Sequence, residues 1–166
     1  HYLTSQVIVE AMRNNDTAWI RERITASVEE AKSRGCSVVG FGGYTSIVTR
    51  NCQLVPVEGI ALTSGNSLTV GMAVEAIFKS AREKFIDLQS ACLGVVGATG
   101  NIGSTYSQIL ADDVGHLVLF GTASSKRRLY KLAARILSQA ADALRAFGPA
   151  RCKGLARSLA SSPTLL

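Results

Sequence analysis

Residues 93–104 read LGVVGATGNIGS. A short apolar run from Leu93 to Val96 meets three glycines at three-residue spacing, Gly97, Gly100 and Gly103, and then a stretch that opens a helix. A strand that turns straight into a helix needs glycine for three separate reasons. The turn is sharp, backbone N–H groups must approach a bound pyrophosphate, and the helix must pack close to the strand it has just left. The first helical turn also carries partial positive charge, which suits an anion. A glycine turn without a ligand has the same composition, so the neighbouring elements carry the reading.

Downstream, NIGSTYSQILADD reads as a helix, HLVLFGT (116–122) as a strand, and SSKRRLYKLAARILSQAADALRAFG as a long amphipathic helix ending at Gly148. Strand, helix, strand, helix at this spacing is a βαβ unit with a parallel strand pair. Beyond Pro149, Leu155 and Leu159 add a further helical turn. Upstream, Asn66 or Ser67 caps a helix running from Leu68 to about Phe85, whose Val70, Val74, Ile77 and Ala81 form one apolar stripe. VEGIALTSG (57–65) reads as a strand, and SVVGFGG (37–43) as a short buried strand that runs into a glycine turn. Ahead of these, Ile20, Ile24 and Val28 mark a helix capped by Asp16 or Thr17 and ended by Gly35.

The chain has 166 residues, 47% of them hydrophobic and 18% charged, enough apolar side chains for a packed core in one large domain or two small lobes. A net charge of +6 favours an acidic partner or is ordinary surface charge. The cations are spread from Arg13 to Arg157 with one dense cluster, Lys126-Arg127-Arg128, and aromatics are only 6%, which argues against a nucleic-acid platform. Cys36, Cys52, Cys92 and Cys152 form no C-x-x-C pair and His1 lies far from His116, so no metal site is legible. With no signal peptide and no apolar run long enough to cross a bilayer, a cytoplasmic protein with free thiols is expected. A chain that opens on His1 is expected to be an excised segment.

The residues just after the second strand of the βαβ unit separate the two nicotinamide dinucleotides. An NAD site places Asp or Glu there to accept from the ribose 2′-hydroxyl, whereas an NADP site needs donors and positive charge for a 2′-phosphate. Here Thr122, Ser124, Ser125, Lys126, Arg127 and Arg128 supply hydroxyls and cations, and no acid. NADPH is the expected cofactor. Cations in the first turn of a helix oppose its macrodipole, which favours a ligand over mere solvation as their reason. The expected cofactor residues are Gly97, Thr99, Gly100, Asn101, Ile102 and Gly103 at the pyrophosphate, and Thr122, Ser124, Lys126 and Arg127 at the 2′-phosphate.

The segment before the glycine turn then reads as a substrate-side lobe, with GGYTSI and TSGNSLT lying in turns after strands. The candidate residues there are Gly43, Tyr44, Thr45, Ser46, Gly65, Asn66 and Thr69. Turn chemistry and helix capping account equally for Asn66 and Ser67. The expected fold is α/β: a partial Rossmann-like NAD(P)-binding βαβ unit preceded by a small α/β lobe. Its expected divisions are 1–67 for the lobe, 68–90 for a connecting helix, and 91–166 for the N-terminal half of the Rossmann domain.

GFGGYTSIVTRN (40–51), ALTSGNSLTVGMAVEAI (61–77) and VVGATGNIGS (95–104), in this order, resemble the long-chain acyl-carrier-protein reductases that make fatty aldehydes. The resemblance covers about residues 36–130. It implies an NADPH-dependent reductase acting on an acyl thioester of a carrier protein or coenzyme A, with the acyl group passing through a cysteine. That cysteine lies further along the family's chain than this sequence reaches, so the catalytic residue is unknown here. None of the four cysteines falls on a block that carries the role, and Cys36 and Cys92, flanking strands, read as inert core thiols. Cys152 sits beside Arg151 and Lys153, outside the resemblance.

A doubly wound sheet also needs strands on the other side of its first strand. A fragment of a larger reductase is therefore expected, inactive alone, with exposed strand edges that pair with a second copy. A non-catalytic nucleotide-binding or interaction module is the alternative. A small polar substrate of the shikimate-dehydrogenase type ranks last, because no Lys lies in GGYTSI or TSGNSLT.

Overall fold

The computed structural model describes residues 3–161 and is α/β. Its elements are α1 (Ser5–Arg13), α2 (Ala18–Ser33), β1 (Val38–Gly40), α3 (Tyr44–Val48), β2 (Ala61–Thr63), α4 (Asn66–Glu83), β3 (Cys92–Val96), α5 (Asn101–Leu110) and β4 (His116–Phe120). A 3-10 turn (Ala123–Ser125), α6 (Lys126–Phe147) and α7 (Gly154–Ala160) complete the described chain. The chain forms two compact units, His1–Ser67 and Leu68–Leu166, and α4 starts on the last residues of the first.

The first unit is organised by α2. Ile20, Ile24 and Val28 recur every fourth position and are all buried, joined by Ile8 and Ala11 of α1 and by Phe41, Val48, Val55 and Val57. Full burial of each aliphatic side chain contributes about 1.5–3 kcal/mol, so this stripe is the main local source of stability. Thr17 holds the N-cap position of α2 but does not cap it. Its backbone is helical (φ −105°, ψ 0°), and its hydroxyl instead accepts from the Arg21 guanidinium at 2.6 Å. No expectation covered α1, although Thr4 caps it by accepting from the Val7 N–H at 3.3 Å.

β1 and β2 pair in parallel, Val38 with Ala61 through Gly40 with Thr63. The expected buried strand at 37–43 is only three residues long, and its Val38 and Gly40 face outward while Val39 packs on the core. The second strand is likewise shorter than 57–65, because Gly59, at φ 72°, breaks the extended run. GGYTSI is not a plain turn: Tyr44–Val48 is a short helix. The Thr45 hydroxyl donates to the Gly42 carbonyl (2.7 Å), the Ser46 hydroxyl donates to Gly43 (3.0 Å), and Val48 is buried. Burial of Val48 and of the neighbouring Thr49 outweighs the weak helix propensity of β-branched and hydroxyl residues. The chain then enters a left-handed turn in which Arg50, Asn51 and Cys52 have φ of 49°, 55° and 72°. For residues with a Cβ this conformation costs roughly 1–2 kcal/mol each. It is held by the Asn51 N–H on the Ser46 carbonyl (2.7 Å) and the Leu54 N–H on the Thr49 carbonyl (3.0 Å).

In the second unit β3 and β4 are parallel, Cys92 with His116 through Val96 with Phe120. Alternation sends Leu93, Val95, Leu117 and Leu119 to one face, where they meet Ala98, Ala111, Leu132 and Ile136. The same alternation turns Cys92 outward, and Cys36 lies in the link after α2, so the two expected core thiols are both exposed. Cys152 is the buried one, packed with Ala140 and Ala156 between α6 and α7. Gln89 fastens this end of the unit: its amide nitrogen donates to the Asp113 carbonyl (2.9 Å) and its oxygen accepts from the Gly154 N–H (2.7 Å).

Two measurements check this packing. Ile20→Ala is expected to lower the unfolding free energy by about 2–5 kcal/mol in urea titration, while Glu29→Ala on the solvated side shifts it by less than about 0.5 kcal/mol. Brief alkylation at neutral pH followed by mass spectrometry is expected to label Cys36 and Cys92 well before Cys152.

Candidate functional site

The glycine turn leaves β3 in a single step. Gly97 has φ 76°, a conformation a side chain would strain. The N–H groups of Gly97 and Ala98 both donate to the Phe120 carbonyl at 3.0 Å, so these two amides bind the turn to the end of β4. Gly100 holds the N-cap of α5 and offers no side chain to its N–H groups. The first N–H groups of a helix have no intrahelical acceptor, which leaves those of Ile102 and Gly103 without one inside α5. Gly103 itself has a packing role. A Cβ there would overlap the Gly97 carbonyl and lie 3.1 Å from Ala98 Cα, so only glycine lets α5 approach the turn this closely.

The second half of the candidate site comes after β4. A Cβ on Gly121 would stand 2.8 Å from the Ser125 hydroxyl and 3.6 Å from the Thr99 methyl, so the glycine turn and the turn after β4 touch. Ser125 is buried and donates to the Thr122 carbonyl at 2.8 Å, which closes the 3-10 turn. Its neighbours point out: Thr122 and Ser124 are exposed and share a hydrogen bond of 3.1 Å between their hydroxyls. Lys126 and Arg127 lie on the first turn of α6, where Arg127 is exposed and the Lys126 ammonium stands 5.9 Å from the Tyr130 ring centre. No acidic residue occurs in that first turn. All ten residues expected at a dinucleotide thus stand in two adjoining turns and the first turns of the helices that follow them, at the carboxyl ends of two parallel strands, the usual ligand position of open α/β sheets.

The substrate-side residues fall differently. In the first unit, Gly43, Tyr44, Thr45 and Ser46 come after β1, and Gly65 and Asn66 after β2, so both groups lie at the carboxyl ends of that parallel pair. Thr69 is exposed on α4. The Asn66 side-chain amide donates to the Asn51 side-chain oxygen at 3.1 Å. Nothing in the sequence marks Asn51, 15 positions away, as that partner. Burial pushes the Cys52 thiol up from its ordinary value, which keeps it protonated and a poor nucleophile at neutral pH. Among the described residues no cluster of His, Cys, Asp and Glu is placed to hold a metal ion, and no helix is long and apolar enough to cross a membrane.

Two curated proteins locate this arrangement among known sequences. The chain is 27% identical over 143 residues, 81% of its length, to a long-chain acyl-[acyl-carrier-protein] reductase from Synechococcus elongatus. It is 32% identical over 98 residues, 57% of its length, to the aminotransferase PigE from Serratia sp.. The chain spans 42% of the first relative and 11% of the second. No protein-family profile matches it.

A pair of alanine substitutions tests the packing role of the third glycine. Gly71, in α4, has open space around its Cβ position, so Gly71→Ala is expected to raise stability by about 0.5–1 kcal/mol through helix propensity. Gly103→Ala gains the same propensity but must push α5 off the turn, and is expected to lower stability by about 1–3 kcal/mol in denaturant titration.

Proposed function

We propose that this chain is the substrate-side lobe and the cofactor-binding part of an NADPH-dependent reductase of acyl thioesters. The observation that carries the reading is the adjacency of the uncapped N-terminus of α5 and the acid-free, cationic turn after β4. The residues suit the dinucleotide in three respects. The α5 N–H groups of Ile102 and Gly103, with Thr99, Gly100 and Asn101 around them, match a pyrophosphate in charge and donor pattern. Gly97, with open space at its Cβ position, keeps a side chain out of the space it takes, and Gly103 lets α5 start close to the turn. Thr122, Ser124, Lys126 and Arg127 offer hydroxyl donors and two cations to a 2′-phosphate, with no carboxylate to repel it.

When bound, NADPH supplies hydride; the chain's own share is to hold and orient it. Gly43, Tyr44, Thr45, Ser46, Gly65, Asn66 and Thr69 are proposed to face the thioester. Asn66, fixed by Asn51, carries a second amide N–H and an oxygen suited to a substrate carbonyl or amide. The acyl-carrier-protein reductase relative supports the substrate class, and its greater length supports placing the acyl-accepting cysteine outside this chain. The PigE relative favours a second reading, in which the same segment is a non-catalytic module of a longer protein, since it matches a small part of a chain bearing another activity in its name.

Calorimetric titration with NADPH and NADH separates the cofactors. NADPH is expected to bind at least about tenfold tighter, and Lys126→Gln with Arg127→Gln to remove that preference while leaving NADH affinity nearly unchanged. Equal affinities in the parent chain would sink the 2′-phosphate assignment. Supplying NADPH and a long-chain acyl thioester tests the second reading: aldehyde made by this chain alone excludes a non-catalytic module.

A further inference from the structure

The first unit contains a cavity of about 390 Å³ that none of the candidate cofactor or substrate-side residues lines. That volume falls within the roughly 300–1,000 Å³ of small-molecule sites. Met12, Ile47 and Leu54 give it apolar walls, and Ile47 and Leu54 are exposed there, 51% and 38%, despite their size. Arg21 and Arg50 line the same cavity, and no Asp or Glu among the described residues does. Arg21 is held by its hydrogen bond to the Thr17 hydroxyl, and neither arginine is in an ion pair among the described residues. Two arginines beside exposed apolar side chains offer the complement of an amphipathic anion.

Backbone strain gathers at the same place. Asn15 and Arg50, both lining residues, have φ of 54° and 49°, and Arg50 opens the left-handed turn that ends α3. At Asn15, just past the end of α1, this conformation is one asparagine adopts readily at a helix terminus, whereas at Arg50 the Cβ disfavours it. Here it sets Arg50 on the rim of the cavity.

We propose that this cavity binds an amphipathic anion, an oxyanion headgroup on an apolar chain, with Arg21 and Arg50 on the headgroup and Met12, Ile47 and Leu54 against the chain. Guanidinium forks match the paired oxygens of carboxylate and phosphate alike. A fatty carboxylate and a phosphate-bearing arm share this chemistry. The site lies wholly in the first unit and does not depend on the cofactor assignment.

Calorimetry on the whole chain with octanoate, octyl phosphate, inorganic phosphate and 1-octanol tests it, and the first two probes distinguish the sources. At least one amphipathic anion is expected to bind at least about tenfold tighter than both 1-octanol and inorganic phosphate. Arg50→Gly removes a guanidinium and relieves the positive φ, so it is expected to keep or raise the melting temperature while weakening the bound probe at least about tenfold. Arg21→Gln, with an intact melting transition, is expected to weaken it similarly. Octanol binding as tightly as octanoate, inorganic phosphate as tightly as octyl phosphate, no binding of either anion, or undiminished binding by folded Arg50→Gly overturns the proposal.

Discussion

The second unit depends on one close approach, the seating of Gly103 against the carbonyl of Gly97. The candidate site is built around it. Because α5 can start this near the end of β3, its N-terminus opens at the carboxyl edge of the sheet. Because the Gly97 and Ala98 amides are both taken by the Phe120 carbonyl, the turn is fixed to β4 and to the segment after it. The Ile102 and Gly103 amides at the helix start have no acceptor within α5, and the Thr99 methyl and the Ser125 hydroxyl both lie close to Gly121, which brings the two turns together. Three glycines serve this turn for different reasons: Gly97 for its φ, Gly100 for its missing cap side chain, and Gly103 for its missing Cβ.

Charge is distributed to match. On α6, Lys126, Arg127, Arg128, Lys131 and Arg135 precede the single acid of that helix, Asp142, which pairs with Arg145 at 3.0 Å. Arg127, Lys131 and Arg135 stand at four-residue intervals, where like charges destabilise a helix by a few tenths of a kcal/mol per pair. A helix so arranged is less stable alone than with an anion at its start. On the proposed reading a phosphate-bearing ligand would relieve this repulsion, with Lys126 and Arg127 as its proposed contacts.

The second unit is far more legible in the sequence than the first. Its strands are five residues long, its helices are strongly periodic, and its glycine turn needs three glycines at fixed spacing, so local rules and tertiary structure agree. The first unit has three-residue strands, too short for alternation to declare which side is buried, and α3 is built from residues that locally favour turns. The left-handed run at Arg50 to Cys52 has no glycine to announce it. The link from Asn51 to Asn66 and the cavity between Arg21 and Arg50 exist only through tertiary contact. Cys92, expected in the core, is exposed for a related reason: the two-stranded sheet packs helices on one face, and the strand's parity puts the thiol on the other.

On the proposed function, one dinucleotide bridges the glycine turn and the turn after β4. Amide chemical-shift mapping of the isotope-labelled chain with added NADP⁺ tests this bridge at both ends at once. The largest shifts are expected at residues 99–104 and 122–128 together, with NAD⁺ moving the first group and sparing the second. Shifts confined to other parts of the chain, or at only one of the two turns when NADP⁺ is saturating, would rule the bridge out.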